Sequence, residues 1–374
     1  MRRRVGWRSF ATAGLVTAAA CASAGGGRGV TPTEGDRFFV AGYHPYWAPN
    51  SWETYPFDAL SRLYFFEVEA GPDGSLSDLH GWPRQWLPLM SRAQEEGVDV
   101  VPTISMHGVE GFQELFASPA SVARLVKESL ALLLATPGLG GLHLDFEVFS
   151  PVSQDVRDGY TAFVTRLRRR MSEADPTYTL SVFALAFDDD DVYAERALAE
   201  AADYLVVQGY DFHSAGEANA GPVAALQGWG RLNWGNVVDR FVGFGVPPRK
   251  IVMAVPMYGY EWPTETDQPG SATRGQAIEV LLAPPAGVMP ELPRAADQAA
   301  RHGRRRDPES GTPYYAFQDD TGWRQGWFED AASLRAKYAF VRERGLGGVA
   351  LFPLAYGDES IWESLRDAFR RPRE

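Results

Sequence analysis

Gly140-Gly141-Leu142-His143-Leu144-Asp145-Phe146-Glu147 is the stretch on which the reading of this chain turns. Successive side chains of an extended strand point to opposite faces. Leu142, Leu144 and Phe146 therefore share one face, suited to packing beneath helices. His143, Asp145 and Glu147 share the other, and Glu147 comes last, at the strand's C-terminal end. Three ionisable groups facing an enclosed interior are costly unless they are paired or at work.

Working outward, this stretch is the fourth of eight similar runs. The others begin near Phe38 (FFVAGY), Leu63 (LYFFEV), Val98 (VDVVPTIS), Tyr178 (YTLSVFAL), Tyr204 (YLVVQGY), Lys250 (KIVMAVPM) and Gly348 (GVALFPL). They are rich in Val, Leu, Phe and Tyr, as strands are. Amphipathic patterns lie between them, over 121–135, 156–172, 194–202, 236–243 and 332–344. Two of these end at Gly243-Phe244-Gly245 and at Gly345, residues suited to stopping a helix. Strand followed by helix, eight times over, predicts an α/β fold: a (β/α)8 TIM barrel. A doubly wound open sheet would also alternate, but no glycine-rich phosphate loop follows the first run. Roughly ninety residues separate the seventh and eighth runs. Residues 263–326 are read as an insertion on the barrel mouth, mobile in part along its Pro- and Arg-rich section from Pro284 to Pro308.

The chain has 374 residues, 45% of them hydrophobic, enough for one large barrel or two ordinary domains. Its formal charge of −12 disfavours nucleic acid and anionic lipid surfaces as partners. The aromatic share of 13% is generous. It serves a core or a sugar-stacking cleft equally well. Arg2, Arg3, Arg4 and Arg8 precede a short apolar stretch, Phe10 to Ala20, too short to span a bilayer and read as an export signal over 1–20. The lone cysteine, Cys21, ends it and is expected to carry a lipid anchor; cleavage after Ala22-Ser23-Ala24 is the alternative and would discard it. In either case the protein is expected to be exported and to hold no disulfide. Residues 21–36 read as a flexible tether and 37–370 as the barrel domain.

The fourth run resembles glycoside hydrolase family 18, the chitinases and their relatives, whose signature there is Asp-Gly-x-Asp-x-Asp-x-Glu. Gly141, Asp145 and Glu147 fit it; Gly140 and His143 stand where the signature has Asp. Gln208-Gly209-Tyr210-Asp211 resembles the family's Tyr-Asp motif, followed by Ala220-Gly221-Pro222-Val223. Val255-Pro256-Met257-Tyr258-Gly259-Tyr260-Glu261-Trp262 resembles its seventh-strand segment. Gly42-Tyr43 with Trp47 suits the first strand and Gly347-Gly348-Val349 the eighth.

The resemblance implies a retaining glycosidase acting beside N-acetylglucosamine, in chitin- or peptidoglycan-type glycans. The substrate's own acetamido oxygen would serve as nucleophile. Glu147 would protonate the departing oxygen, Asp145 would orient the acetamido N–H, and Tyr210 would hold its oxygen. Asp211, Tyr43, Trp47, His143, Gln208, Tyr258, Trp262 and Phe352 would line the sugar site. Histidine at 143 is expected to hydrogen-bond Asp145 and to change charge in the neutral range. Phe352 stands where the family has Trp, which bears on substrate preference. The resemblance implies neither cofactor nor metal. The expected partner is an N-acetylated glycan, with membrane contact through the anchor alone, and the chain is expected to be a monomer.

Three other readings compete. The three ionisable groups could form a structural ion-pair cluster. They could instead hold a metal, with His44, His107 and His213 near other strand ends, although the His-x-His pair of metal-dependent barrels is missing from the first strand. A lectin of the same fold would bind without cutting, but such proteins commonly lose the acid, and Glu147 is present.

Overall fold

A computed structural model describes residues 38–369. The expected export signal, Cys21, the tether and the outermost ends of the expected catalytic domain lie outside the described residues. In chain order the strands are β1 (Phe39–Pro45), β2 (Arg62–Ala70), β3 (Leu76–Asp78), β4 (Asp99–His107), β5 (Gly141–Glu147), β6 (Thr179–Ala184), β7 (Tyr204–Val207), β8 (Ile251–Pro256), β9 (Tyr258–Thr264), β10 (Ile278–Leu281), β11 (Arg305–Arg306), β12 (Pro313–Asp319), β13 (Gly322–Trp327) and β14 (Gly348–Phe352). The helices are α1 (Leu87–Glu95), α2 (Val109–Ala117), α3 (Pro119–Ala135), α4 (Gln154–Ala174), α5 (Glu195–Ala201), α6 (Trp234–Gly243), α7 (Ala295–His302), α8 (Ala331–Glu343) and α9 (Glu359–Phe369).

The eight predicted runs become β1, β2, β4, β5, β6, β7, β8 and β14. They are hydrogen-bonded in that order, all parallel, and β14 returns to pair with β1. The sheet is therefore closed, a (β/α)8 barrel with β3 added antiparallel to the end of β2. Helices start where side-chain caps satisfy free N–H groups. Ser118 accepts from Ser121 at α3, Asn233 from Asn236 at α6, and Asp330 forms a capping box with Ser333 at α8. The expected stops also appear: Gly245 and Gly345, just past α6 and α8, have φ of 86° and 61°.

Alternation along the strands separates two cores. Leu142, Leu144 and Phe146 pack outward with Phe112, Phe116, Tyr160 and Phe163 of the surrounding helices. Inside the barrel, Ala41, Tyr43, Tyr64, Phe66, Val101, Val206, Val252, Ala254 and Ala350 form a second, smaller cluster.

The insertion is wider than expected and regularly structured. It is a five-stranded antiparallel sheet ordered β10-β9-β13-β12-β11, running from Tyr258 to Trp327. The Pro- and Arg-rich section expected to be partly mobile carries α7 and β11. This sheet has its own small core of Trp262, Trp327, Tyr314, Ala220 and Val223, with the Tyr314 and Trp327 rings stacked at 4.6 Å. Trp262 is fully buried there, which corrects its expected place against the sugar. The Ala220–Val223 segment packs over the end of β9 and covers the indole. Trp262→Ala should therefore act on stability, costing about 3–5 kcal/mol in urea unfolding. A KM change without that loss would return the indole to the cleft.

Candidate active site

Side chains at the C-terminal ends of the barrel strands converge where barrels place their chemistry. β4 and β5 pair in register, setting Thr103 beside His143, Ser105 beside Asp145 and His107 beside Glu147. Each inward step along β5 thus lies in a layer of its own.

The lowest layer is a hydrogen-bonded chain of four side chains. His143 Nε2 lies 2.9 Å from the Tyr43 hydroxyl and its Nδ1 lies 3.0 Å from Ser181 Oγ, which also meets the Tyr64 hydroxyl at 3.0 Å. The Tyr64 ring stacks on the imidazole at 4.5 Å. Both ring nitrogens are thereby committed to Tyr43 and Ser181, not to Asp145. Burial drives the His143 pKa down to about 3. The expectation of a bond to Asp145 and of titration near neutrality is corrected: His143 is a neutral spacer beneath the site. It also has no nitrogen left for a metal shared with Asp145 and Glu147.

Above it, Asp145 is 4% exposed, and its Oδ1 has no hydrogen-bond partner. Its proton affinity is raised, first by burial and then by the charges of Glu147 and Glu67. Glu147, half-buried at the rim, is also raised, chiefly by burial. His107 pulls it down, while Asp211 and Glu67 push it up. Two carboxyls facing one desolvated mouth cannot both ionise freely, so each raises the other's hold on a proton.

The opposite wall comes from the segment after β7. Gly209 brings this backbone against β8; a Cβ there would meet Ala254 O at 2.4 Å. Its carbonyl accepts from the Trp234 indole N–H at 2.7 Å. The next residues, Tyr210 and Asp211, are thereby turned to the mouth, Asp211 with φ of 58°. Asp211 Oδ1 accepts from the hydroxyls of Tyr258 at 2.9 Å and Tyr260 at 3.2 Å. Burial nevertheless raises its pKa to about 6. The Tyr210 ring lies parallel to Phe352 at 6.1 Å and edge-on to Tyr258 at 6.0 Å. Burial first, and then the charges of Glu147 and Asp145, raise the pKa of its hydroxyl.

The floor is aromatic. Phe352 meets Tyr43 and Phe66 edge-on at 5.3 and 5.4 Å, and Trp47 meets Phe66 at 5.8 Å, with its indole N–H donating to the Tyr356 hydroxyl at 3.0 Å. Gln208 is half-buried just below, its backbone N–H bonded to Ala184 O at 2.9 Å. Two carboxyls, a tyrosine and an aromatic floor thus meet at the barrel mouth. His44 and His213 take no part: His44 meets the Tyr55 hydroxyl at 3.0 Å and His213 the Pro222 carbonyl at 2.9 Å.

The model for Glycosyl hydrolases family 18 matches residues 53–357. The chain belongs to that family. It is a family 18 glycosidase, similar to the cortical fragment-lytic enzyme of Bacillus anthracis, with 23% identity over 83% of this chain and 68% of that protein. It is also similar to the di-N-acetylchitobiase of Rattus norvegicus, with 24% identity over 74% of this chain and 79% of that one. Its fold matches a glycoside hydrolase family 18 N-acetylglucosaminidase from Paenibacillus barengoltzii, with a TM-score of 0.74, 20% identity, and coverage of 89% of this chain and all of that one.

Two side chains of this family 18 cleft escape a reading by alternation. Glu67 falls in the run LYFFEV, where Tyr64 and Phe66 face inward and strict alternation turns Glu67 out. The β2–β4 register shifts between Phe65 and Val68. Phe66 stays in the floor, and at this irregularity Glu67 reaches His107 of the neighbouring β4 at 3.2 Å. Tyr260 was hidden differently: its partner Asp211 is brought to it only by folding.

Proposed function

We propose that this family 18 glycosidase is a retaining enzyme that hydrolyses β-1,4 linkages beside N-acetylglucosamine, using the substrate's acetamido group as nucleophile. The observation that carries this reading is the buried, unpartnered Oδ1 of Asp145 next to Glu147, whose pKa burial raises. A carboxyl oxygen withdrawn from water and left without a donor is costly, and a bound acetamido N–H would supply that donor.

Glu147 transfers its proton to the glycosidic oxygen as the bond from the anomeric carbon to that oxygen breaks. The acetamido oxygen forms the new bond to the anomeric carbon, giving an oxazolinium ion. Asp145 accepts from its N–H, and Tyr210 holds the oxygen in line. Water then attacks the same carbon, the carbon–acetamide bond breaks, and Glu147 takes the proton from the water. Two displacements on one carbon retain configuration. The names of the similar chitobiase and N-acetylglucosaminidase support an N-acetylated sugar at this position. Substrates of both chitin and peptidoglycan type carry the required group.

The test is digestion of chitooligosaccharides, of their fully deacetylated counterparts and of peptidoglycan, with the first product's anomer read by proton NMR. A β product from acetylated substrate, with no cleavage of the deacetylated one, is expected. An α first product would overturn participation, and binding without cleavage would make the protein a lectin.

We also propose that the chain is exported and anchored through Cys21, as the arginine-led apolar segment before it suggests. Cys21→Ala should move the enzyme from the membrane fraction to the soluble one. A soluble distribution of both wild type and variant would instead favour cleavage after Ala24.

A further inference from the structure

Three adjacent strands end at the mouth with a histidine between two carboxylates. His107 closes β4 and is register-paired with Glu147 closing β5. On its other side, its Nε2 lies 3.2 Å from Glu67 Oε2 of β2. The imidazole is about half exposed to the cleft, whereas Glu67 is 6% exposed and fixed in place.

We propose that His107 is a positioning residue for the acid: held as an imidazolium by Glu67, it stabilises the Glu147 carboxylate that exists after the proton has left for the glycosidic oxygen. The proposal rests on the acid role given to Glu147 above. His107 exchanges no proton in the cycle. It supplies positive charge beside Glu147 while that group waits, as a base, for water.

The surroundings determine the sign. Glu67 and Glu69 face His107 from β2 and Glu147 faces it from β5, all favouring the charged ring, while partial burial opposes it. Glu69 is itself bonded to His80 Nε2 at 3.1 Å, which leaves Glu67 as the direct anchor. Glu147 in turn feels Glu67 and Asp211, as well as Asp145 below it, all of which favour its protonated form. Without the imidazolium, Glu147 would hold its proton more tightly and be a weaker acid in the first step. With it, the acid is stronger and the intermediate's anion is paired. As pH rises and His107 loses its proton, Glu147 loses that partner.

The test has two arms. In solution NMR of the full chain, the His107 imidazole pKa should fall by about half a unit to one unit in Glu147→Gln and further in Glu67→Gln, each removing a facing negative charge. An imidazole pKa unchanged in Glu147→Gln would overturn the pairing, with no need for turnover. In the pH–rate profile, His107→Gln should lower kcat about tenfold near neutrality with KM little changed, and should move the basic limb up by about one unit. His107→Lys should restore both in part. A basic limb that stays put in His107→Gln with normal kcat would overturn the catalytic role. No cleavage of any glycan by the wild type, with the NMR coupling present, would sink the functional reading and leave the Glu67–His107–Glu147 pairing standing.

Discussion

Glu147→Gln is expected to lower kcat by about 10³-fold while leaving fold and affinity in place, because it removes a transferable proton and little else. The amide is nearly isosteric with the protonated carboxyl. It imitates the form that burial already favours at this half-buried rim position. Its folded-state cost should therefore be small, and the melting temperature should hold or rise slightly. Oligosaccharide binding, measured by calorimetry, should survive, since the aromatic floor of Phe352, Phe66 and Trp47 and the Asp145 oxygen are untouched. Wild-type turnover in this variant would remove Glu147 from the role of acid. Loss of binding together with turnover would point instead to a collapsed mouth.

Asp145→Asn should lose about 10²- to 10³-fold in kcat, with most of the loss in turnover, because an amide cannot match a carboxylate in stabilising a positively charged oxazolinium. Stability should move the other way. The folded-state pKa of Asp145 lies above its unfolded value, so folding favours its neutral form. That stability is present below the unfolded pKa and is lost as pH rises through the folded one. The asparagine variant has no such loss. Its melting temperature should match the wild type near pH 4 and exceed it increasingly towards pH 8. A variant less stable than wild type across that whole range would mean that the carboxylate is paired by a group the geometry does not provide. The opposed changes in activity and stability mark a residue held in an unfavourable state for function.

Much of this was readable from residue order alone. Period-two alternation in Leu142–Glu147 is a property of any extended chain, so the side on which His143, Asp145 and Glu147 lie followed without coordinates. Eight apolar runs separated by amphipathic stretches leave few ways to bury both, which is why the closed parallel barrel was legible. The places where the reading failed share one cause. Trp262 lies on the same strand face as Tyr258 and Tyr260, and its packing with Ala220, Val223, Tyr314 and Trp327 makes it a buried indole and not a cleft wall. His143 looked like a partner for Asp145 because they are two residues apart, but its hydrogen bonds go to Tyr43 and Ser181, 100 and 38 residues away.

Residue order alone is enough for the barrel and for the side of β5 on which His143, Asp145 and Glu147 lie, because local periodicity does not depend on what packs where. Tertiary structure alone decided the protonation states and partners. It kept His143 neutral, left the Asp145 oxygen unpaired and set His107 between Glu67 and Glu147. These depend on desolvation and on charges that neighbouring strands bring within a few ångströms, and a linear chain fixes neither until a register shift such as that between Phe65 and Val68 has been made.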